Sequence, residues 1–314
     1  MNPPSLTDFV VDAELRDFAE RAKLEDLGPD GLDVTSALFI DERAVASGRV
    51  VARQAGVMAG LAALPTIAAV YDPALSVELT RQDGDRVEPG DVLATIAGPW
   101  RSMLAGERVA LNLLGRLSGI ATLTGAYVAR CRGTKAAVLD TRKTTPTLRG
   151  LEKYAVACGG GRTHRMGLYD AVLLKDNHLA GIPGASLREK VRSAAAQARA
   201  EHPRLKFIEV EVDTLDQLDA VLPTGVDLVL LDNMALDALR QAVRRRDAWG
   251  TGVQLEASGG VNLDTIAHIA ATGVDRISVG ALTHSAVALD VALDVDVPAR
   301  PNSGGGPTDA GATP

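Results

Sequence analysis

Six short apolar runs recur in the second half of the chain, and each leads into a helical or loop segment. Such runs are typical of parallel strands that are buried on both faces beneath helices. Their alternation with helices predicts an α/β barrel, which either hides two strands or is irregular, because the standard barrel has eight. The runs are AAVLDTRK (136–143), DAVLLKDNH (170–178), FIEVEV (207–212), VDLVLLDN (226–233), VQLEASGG (253–260) and RISVGAL (276–282).

Each apolar run ends in polar residues or glycine. The carboxyl ends of the strands in a parallel barrel meet on one face, where catalytic groups from several strands come together. The sequence therefore predicts that these ends form a single site. The residues are Arg142, Lys143, Lys175, Asp176, Glu211, Asp232, Ser258 to Gly260, and Val279 to Ala281.

Glycine-containing segments follow the last two runs, at 257–260 and 278–281. Backbone N–H groups at such positions can approach a phosphate where a helix begins, and barrels commonly bind phosphate after their final strands. We therefore expect phosphate near these two segments. The glycines at 159–161 are a weaker signal, because a flexible loop explains them equally well.

The region from Asp140 to His178 is basic within an acidic protein. It holds seven basic residues against four acidic ones, a net charge of +3, whereas the whole chain carries −7. A positive region of this kind predicts an anionic ligand, since arginine beside lysine suits carboxylate or phosphate. The basic residues are Arg142, Lys143, Arg149, Lys153, Arg162, Arg165 and Lys175.

Acidic residues complete the predicted site. Glu209 and Glu211 share one face of their strand. A carboxylate near a barrel interior is costly without a cation, so Glu211 and Asp232 should face a lysine, a bound metal or a cationic transition state. A structural ion pair with Lys143 or Lys175 explains the same pattern, and that alternative stays open.

The histidines and cysteines of the chain do not form a metal-binding pattern. His164 and His178 lack the spacing of a metal-binding helix pair, and we expect His164 to contact substrate and His178 to make a structural hydrogen bond. Cys131 and Cys158 lie far apart, so we expect two reduced, buried thiols.

The first half of the chain has a different pattern. Short β-branched runs and turns between residues 44 and 97 predict antiparallel strands. Apolar residues spaced by three and four between residues 102 and 130 predict one or more amphipathic helices. We expect the opposite, polar face of this helical region to be solvated. That face carries Arg101, Arg108, Asn112 and Arg116.

Composition excludes several classes of protein. A net charge of −7 argues against a general nucleic-acid binder. We expect a soluble, cytoplasmic protein without a membrane span, because no signal-peptide pattern and no apolar stretch of roughly 18 residues is visible. The Pro, Gly and Ser-rich stretch at 298–314 is expected to be a disordered tail.

At these residues the sequence resembles the quinolinate phosphoribosyltransferase family, also called decarboxylating nicotinate-nucleotide pyrophosphorylase, from about Glu25 to Asp296. The resemblance rests on long strings in family order rather than on one short motif. They are EDLGPDGLDVTS (25–36), GERVALNLLGRLSGIAT (106–122), DTRKTTP (140–146), GGGRTHRMGLYDAVLLKDNH (159–178), EVEVD (209–213), LLDN (230–233), EASGG (256–260) and SVGALTHS (278–285).

The resemblance implies an N-terminal α/β sandwich followed by an irregular, open α/β barrel of about six parallel strands. We expect the sandwich at 1–130, joined by 283–297, and the barrel at 131–282. The resemblance also implies a homodimer or higher homo-oligomer in which the sandwich of one subunit covers the barrel mouth of the other. Arg108 would then reach the partner's site, which replaces the solvated-face expectation for that residue.

The resemblance further implies two small-molecule substrates, quinolinate and phosphoribosyl pyrophosphate. It places Arg142, His164, Arg165 and Lys175 around quinolinate. It assigns Lys143, Glu211 and Asp232 to catalysis, serving the phosphoribosyl donor and its Mg²⁺, with Glu211 and Asp232 as direct or water-mediated metal ligands. Thr141 is expected to bind substrate, and the two glycine segments are expected to hold phosphate through Ser258, Gly259, Gly260, Val279, Gly280 and Ala281.

One position departs from the family pattern, because Thr147 stands where such enzymes often have glycine after the TTP step. This departure puts the local loop geometry in doubt and leaves the reaction unchanged. Two alternatives remain open: a related barrel transferase that acts on another aromatic acid, and a catalytically silent phosphate-binding regulator.

Overall fold

A computed structural model describes residues 4–250 and 252–296, so the expected tail at 298–314 lies outside the described residues. Three short 3₁₀ helices occupy Leu6–Asp8, Leu61–Ala63 and Leu222–Thr224. The elements of the first part are α1 (Asp12–Leu27), α2 (Val34–Phe39), β1 (Val45–Ala52), β2 (Gly56–Val57), α3 (Leu64–Tyr71), β3 (Ser76–Leu79), β4 (Arg86–Val87), β5 (Val92–Pro99) and α4 (Trp100–Arg130).

The second part alternates strands with helices until a last strand closes the chain. Its elements are β6 (Ala137–Leu139), α5 (Arg149–Cys158), β7 (Val172–Leu174), α6 (Asp176–Leu179), α7 (Gly184–Glu201), β8 (Ile208–Val212), α8 (Leu215–Val221), β9 (Leu228–Asp232), α9 (Leu236–Trp249), β10 (Gln254–Ser258), α10 (Ile266–Ala270), β11 (Arg276–Ser278), α11 (Ala281–His284) and β12 (Val291–Asp296).

The six apolar runs form one parallel sheet in the order β6-β11-β10-β9-β8-β7. Strand β9 is buried along nearly its whole length, which explains its unbroken apolar sequence. The prediction of six parallel strands is confirmed, and the count of six is the true count in this sheet.

The barrel stays open between its first two strands, because the sheet order leaves β6 and β7 at opposite edges. Each of these edge strands has three residues. The free side of β6 is covered instead by Arg162, whose backbone N–H donates to Val138 at 2.8 Å and whose carbonyl accepts from Asp140 at 3.2 Å. The six strands therefore form an open, irregular barrel whose β6 edge is partly covered by this backbone.

The first part forms an antiparallel sheet in the order β12-β1-β5-β3, with β2 and β4 paired separately. The antiparallel reading of residues 44–97 is therefore confirmed. The chain returns to this sheet as β12, which pairs with β1, in the segment expected to join the sandwich. The expected domain boundaries themselves stay a prediction.

Helix α4 is the central helix of the molecule and packs against both sheets' cores. Two of its glycines allow the returning chain to approach closely. A Cβ on Gly119 would lie 2.0 Å from the Val287 carbonyl oxygen, and one on Gly115 would lie 2.9 Å from that of Leu289. The Leu289 N–H also donates to the Gly115 carbonyl at 2.9 Å. These contacts seat the segment that leads into β12.

Within residues 4–250 and 252–296, α4 is the one helix long and apolar enough to span a membrane by length and composition. This criterion tolerates a few charged residues, so α4 can meet it although the sequence has no uninterrupted apolar stretch of roughly 18 residues. The window that meets the test is 67% buried inside the protein, so its apolar residues belong to the core.

The polar face of α4 is solvated at Arg108 and Asn112, as expected, but its other two residues are engaged within the protein, which corrects the expectation for Arg101 and Arg116. Arg101 donates to the carbonyls of Ala37 and Ile40. Arg116 donates to the buried carboxylate of Glu152 at 2.7 Å. Periodicity identifies a polar face, but it does not reveal which neighbouring element will satisfy that face.

The cysteine prediction is confirmed, since Cys131 and Cys158 are both free and buried. Burial raises the pKa of Cys158 to about 12. A thiol of this kind is protonated at neutral pH and is a poor nucleophile.

Candidate active site

A cavity of about 760 Å³ opens at the carboxyl ends of the parallel strands. It brings together every predicted site residue except Arg108 and Asp176. The predicted residues that line it are Thr141, Arg142, Lys143, His164, Arg165, Lys175, Glu211, Asp232, Ser258, Gly259, Gly260, Val279, Gly280 and Ala281. Residues far apart in sequence thus share one mouth, as expected of a barrel active site.

A second cavity, of about 720 Å³, lies at the opposite ends of the strands and is lined by Lys206, Phe207, Gln254 and Arg276 among others. It includes neither the strand-end carboxylates nor the glycine segments. Barrel enzymes place their chemistry at the carboxyl face, so we assign the active site to the first cavity.

The basic wall of the active-site cavity carries two neighbouring guanidinium groups. Burial first, and then the charge of Arg142, lowers the pKa of Arg165. Arg165 is buried and donates from Nη1 to the Ala171 carbonyl at 3.1 Å. Two cations held this close repel each other, and a bound dianion would relieve that repulsion.

Not all of the predicted basic region serves the cavity, which corrects the use of its whole net charge. Lys153 is fully buried and pairs with Asp140. Burial raises the pKa of Asp140 and lowers the pKa of Lys153, in each case against their mutual attraction. Arg149 donates to Thr144 and to the Met166 carbonyl. Lys153 and Arg149 therefore make their contacts inside the protein and do not contribute their positive charge to the cavity lining.

The acidic wall combines an ion pair with a carboxylate that has no cation beside it among the described residues. Lys175 Nζ lies 3.1 Å from Glu211 Oε2. Asp232 accepts a hydrogen bond from the Asn233 side chain at 2.7 Å. The ion-pair alternative is thus observed for Glu211. Two carboxylates at the ends of adjacent strands also suit Mg²⁺, which prefers oxygen ligands.

Two of the cavity glycines, Gly259 and Gly280, lie close to neighbouring side chains. Gly259 has φ +91°, and a Cβ there would lie 2.1 Å from Asn233 Oδ1. A Cβ on Gly280 would lie 2.9 Å from Lys143 Cδ, so the lysine stem runs along this glycine. Both positions keep the cavity floor free of side chains, which leaves space for a phosphate.

The glycines at 159–161 have a packing role instead. A Cβ on Gly159 would lie 2.4 Å from the Ala121 carbonyl oxygen, and one on Gly161 would lie 2.7 Å from Val156 Cγ1. These glycines let the end of α5 pack against α4. They do not line the active-site cavity.

A buried polar network lies at the base of the cavity, which His164 and Glu256 line, and the partners of His164 in it were missed from the sequence. His164 Nε2 is 2.9 Å from Glu209 Oε2 and 3.4 Å from Glu256 Oε1. Glu256 Oε2 accepts from Arg276 Nε at 2.7 Å. The signal was a charged residue inside each of three apolar runs, at positions where alternation points into the barrel.

The surroundings of Glu209 and Glu256 shift the pKa values of these two residues in opposite directions. Burial and the charge of Glu256 raise the pKa of Glu209. The pKa of Glu256 is lowered, because hydrogen bonds from His164 and Arg276 outweigh its burial. Burial also opposes a charged His164, yet the bonds to both glutamates raise the pKa of His164 to about 9.

The Arg165 N–H donates to His164 Nδ1 at 2.7 Å, which requires a free lone pair on that nitrogen. The two glutamates favour a doubly protonated ring, whereas the contact with Arg165 can form only when Nδ1 carries no proton. In this conformation the ring proton therefore lies on Nε2, towards the carboxylates.

Two further predictions have clear outcomes. His178 Nδ1 accepts the Lys175 backbone N–H at 3.0 Å, so the structural hydrogen bond predicted for His178 is confirmed.

Arg108 lies on α4 away from the active-site cavity, and 66% of its side chain is exposed. Within one subunit, Arg108 does not join the other predicted residues.

Thr147 has φ +67° and is one of two non-glycine residues with positive φ in the described part of the chain. The loop therefore keeps a glycine-type conformation although it carries threonine. A β-branched residue in this conformation is strained.

Comparisons with known proteins agree along nearly the whole chain. The family description "Quinolinate phosphoribosyl transferase, N-terminal domain" matches residues 33–118. The description "Quinolinate phosphoribosyl transferase, C-terminal domain" matches residues 120–294.

Curated relatives and solved structures match with similar coverage. The chain is 44% identical over 295 residues to nicotinate-nucleotide pyrophosphorylase (carboxylating) of Mycobacterium leprae, covering 92% of this chain and 100% of that protein. It is 38% identical to the probable enzyme of the same name from Bacillus subtilis, covering 90% and 93%. The crystal structure of NadC from Streptococcus pyogenes matches with a TM-score of 0.83 at 38% identity, covering 91% and 98%.

Proposed function

This chain belongs to the quinolinate phosphoribosyltransferase family, and from that premise we propose that it transfers phosphoribosyl from phosphoribosyl pyrophosphate to quinolinate. The reaction yields nicotinate mononucleotide, pyrophosphate and carbon dioxide, a step of de novo NAD synthesis. One observation carries the proposal at the site: basic groups, strand-end carboxylates and open glycines line the same cavity.

The basic wall supports binding of quinolinate, which bears two carboxylates beside a pyridine nitrogen. Arg142, Arg165 and Lys175 supply the positive charge that a dianion needs. Arginine can bind carboxylate through two parallel N–H groups, which fixes orientation as well as affinity. We infer that this wall turns the ring nitrogen towards the anomeric carbon, and positioning of this kind supplies much of the rate.

The opposite wall suits the phosphoribosyl donor. Lys143, which runs along Gly280, can neutralise the departing pyrophosphate. As the bond from the anomeric carbon to pyrophosphate breaks and the bond to the ring nitrogen forms, the ribose gains positive charge. Glu211 and Asp232 can stabilise that charge. Backbone N–H groups of the two glycine segments can bind phosphate.

Glu211 and Asp232 would also hold Mg²⁺, directly or through water, because both carboxylates line the cavity and Asp232 has no cation beside it among the described residues. Bound Mg²⁺ supplies charge neutralisation for the pyrophosphate. An assay with the metal removed by EDTA should lose activity and regain it when Mg²⁺ is returned.

Decarboxylation follows transfer in this scheme. Alkylation makes the pyridine nitrogen cationic, and the adjacent carboxylate leaves as carbon dioxide. The electron pair left on the ring carbon is stabilised by the neighbouring positive nitrogen until it takes a proton. The chain needs no covalent nucleophile for either step.

We further propose a homodimer in which Arg108 enters the partner's active site. Support comes from its exposed position on α4, outside its own cavity. Large apolar side chains are also exposed on both parts of the chain, including Phe39 at 84% and Tyr169 at 80%. Exposed apolar side chains of this size mark interaction surfaces when they cluster. The cytoplasmic location expected from the sequence stays a prediction.

The direct test mixes purified protein, Mg²⁺, quinolinate and phosphoribosyl pyrophosphate and measures nicotinate mononucleotide and pyrophosphate. We expect both products, and we expect nicotinate to be a poor acceptor because it lacks the second carboxylate. Preference for nicotinate or another aromatic acid would favour the related-transferase alternative. Failure to release pyrophosphate with any acceptor would favour the silent regulator.

A further inference from the structure

Residues 140–148, which the structure describes throughout, join β6 to α5 and form neither helix nor strand. The position of this loop therefore depends on its side-chain hydrogen bonds. The N–H and the hydroxyl of Thr145 both donate to the Glu152 carboxylate, at 3.1 and 2.7 Å. The carbonyl of Lys143 accepts from the Thr283 hydroxyl at 2.7 Å. Two helices, α5 and α11, thus bind the loop that carries Lys143.

Glu152 is fully buried, and its carboxylate binds more than the loop. Arg116 of α4 donates to Glu152 Oε1 from Nε at 3.1 Å and from Nη2 at 2.7 Å. A buried carboxylate is costly unless a cation and hydrogen bonds satisfy it, and Arg116 and Thr145 supply both. Glu152 therefore connects the loop to the central helix of the molecule.

Arg116 extends these contacts to the glycine segment at 278–281. Its guanidinium donates to the carbonyl of Thr283 and, at 3.3 Å, to that of Ala286. Thr283 lies in α11, whose N-terminus belongs to this glycine segment. One guanidinium therefore binds both the carboxylate that holds the loop and the helix that follows the expected phosphate site.

Lys143 lies where these contacts meet. Thr283 binds its carbonyl, and a Cβ on Gly280 would lie 2.9 Å from its Cδ, so one end of α11 contacts both its main chain and its stem. A lysine stem is flexible, so its main chain must be fixed if the ammonium is to reach a particular phosphate. Thr283, Arg116 and Glu152 do not line the cavity. They can affect the reaction only through the groups that they hold.

We propose that a network of positioning residues centred on Glu152 holds Lys143 against the glycine segment at 278–281. The lysine ammonium and the backbone N–H groups of the segment then face the same molecule of phosphoribosyl pyrophosphate. This inference rests on the proposed function and deepens it. Arg165 and Lys175, on the quinolinate side, make no contact with this network. The members of the Glu152 network are Arg116, Thr145, Glu152 and Thr283.

Thr283→Val tests the network, because valine keeps the β-branched shape and removes the hydroxyl that binds Lys143. It should lower kcat/KM for phosphoribosyl pyrophosphate about tenfold, while KM for quinolinate stays within about twofold of wild type. Thr283→Ser keeps the hydroxyl and should restore most of the loss. Thr272→Val is the matched control: the Thr272 hydroxyl is also buried and donates to a carbonyl at 2.7 Å, but it does not line the cavity. Its kinetics should stay unchanged.

A double-mutant cycle with Lys143→Met shows whether Thr283 acts through Lys143. In the Lys143→Met background, Thr283→Val should change kcat/KM for phosphoribosyl pyrophosphate by less than about twofold. Equal losses in both backgrounds would overturn the inference, because Thr283 would then act independently of the lysine.

Thr145→Val tests the other side of the loop and keeps the inference testable if Thr283→Val does not fold. Thr145 is exposed, and the substitution removes its 2.7 Å bond to Glu152. It should lower kcat/KM for phosphoribosyl pyrophosphate in the same direction, and the loss should again depend on Lys143. Wild-type kinetics in this variant would contradict the role given to Glu152.

Amide hydrogen exchange followed by mass spectrometry tests the network without the reaction. The N–H groups of Lys143 and Thr145 are both hydrogen-bonded. They should exchange at least about fivefold faster in Thr283→Val than in wild type, Thr283→Ser or Thr272→Val. Unchanged exchange would overturn the inference even if activity fell. A wild-type protein that shows this exchange pattern but makes no nicotinate mononucleotide would refute the proposed function and not the network.

Discussion

Arg142 is the simplest test of the basic wall at the level of single residues. Its exposed side chain lines the active-site cavity beside Arg165. Arg142→Ala should lower kcat/KM for quinolinate at least tenfold, about 1.4 kcal/mol, because a charged contact to a carboxylate is lost. Steady-state kinetics with quinolinate as the varied substrate measures this.

Arg162→Ala is the matched control for Arg142. Arg162 is also exposed and belongs to the same basic region, but it does not line the cavity. Its substitution removes the same charge and should leave kcat/KM nearly unchanged. Unchanged kinetics for Arg142→Ala as well would remove Arg142 from the site.

Thr147 stores backbone strain that a single substitution can release. A β-branched residue at φ +67° is unfavourable, and the left-handed region costs L-residues about 1–2 kcal/mol. Thr147→Gly should therefore raise the free energy of unfolding by about 1 kcal/mol, after allowance for the greater freedom of glycine in the unfolded chain. Thr147→Ala keeps the strained L-configuration and should gain much less. Urea unfolding of the three proteins compares them.

Asp275 makes stability depend on pH. Burial alone would raise the pKa of Asp275, but the Leu255 N–H, Lys135 and Arg246 outweigh it, so the pKa lies below its ordinary value of 3.8. A lowered folded-state pKa adds stability above the unfolded pKa and loses it as pH falls through the folded pKa. Asp275→Asn should cost about 2 kcal/mol at neutral pH.

The cost of Asp275→Asn should shrink as the pH falls below the ordinary carboxyl value of 3.8, because the unfolded carboxylate then takes up a proton, and it should be smallest below the lowered folded-state pKa, where the folded carboxylate is protonated as well. Urea unfolding of both proteins across this range measures the difference. A cost that stays constant into acid would show that the amide disrupts packing rather than charge. Asp237→Asn, in an exposed pair with Arg240, is the control and should change little.

At the level of elements, the glycines of α4 hold the two parts of the fold together. Gly119→Ala should destabilise the protein by about 3 kcal/mol, because the new Cβ would lie 2.0 Å from a backbone oxygen that cannot easily move. Gly125→Ala is the control on the same helix, since its Cβ would make ordinary contacts at 3.6 and 3.7 Å. That change should stabilise by up to about 1 kcal/mol through helix propensity. Thermal unfolding compares the two, and equal midpoints would contradict the packing argument.

Sequence patterns predicted the secondary-structure elements better than they predicted the contacts between those elements. Six mainly apolar runs predicted β6 to β11, although three of these runs carry a charged residue, because strands covered by helices are largely apolar on both faces. The polar face of α4 was predicted as solvated because periodicity carries no information about neighbours. Arg116 is satisfied by Glu152, 36 residues later in the chain, and no local pattern connects the two.

For the whole molecule, topology explains why the cavity could be predicted and the layer beneath it could not. Parallel strands must bring their carboxyl ends to one face, so Lys175, Glu211 and Asp232 could be grouped from sequence alone. The Glu209, Glu256 and Arg276 layer instead depends on barrel closure and on side-chain direction. Net charge was equally ambiguous, because Lys153 counts as basic in the sequence yet is neutralised by Asp140 in the core.

Whether Arg108 acts in the partner's active site can be tested only in the assembled dimer. If Arg108 serves the partner's site, Arg108→Ala and Asp232→Asn subunits should each be nearly inactive alone and should complement each other when mixed. In an isologous dimer one site of each mixed pair then carries both changes, and the other carries neither.

Random exchange of these subunits should restore about a quarter of wild-type activity, because half of the dimers are mixed and each has one intact site. Arg142→Ala with Asp232→Asn is the matched control: both residues line the cavity of one subunit, so every site in a mixed dimer stays defective. Complementation by the first pair and not by the second would locate Arg108 across the interface. If neither pair complements although native mass spectrometry shows subunit exchange, Arg108 does not act in the partner's active site. The exposed face of α4 then has no catalytic role.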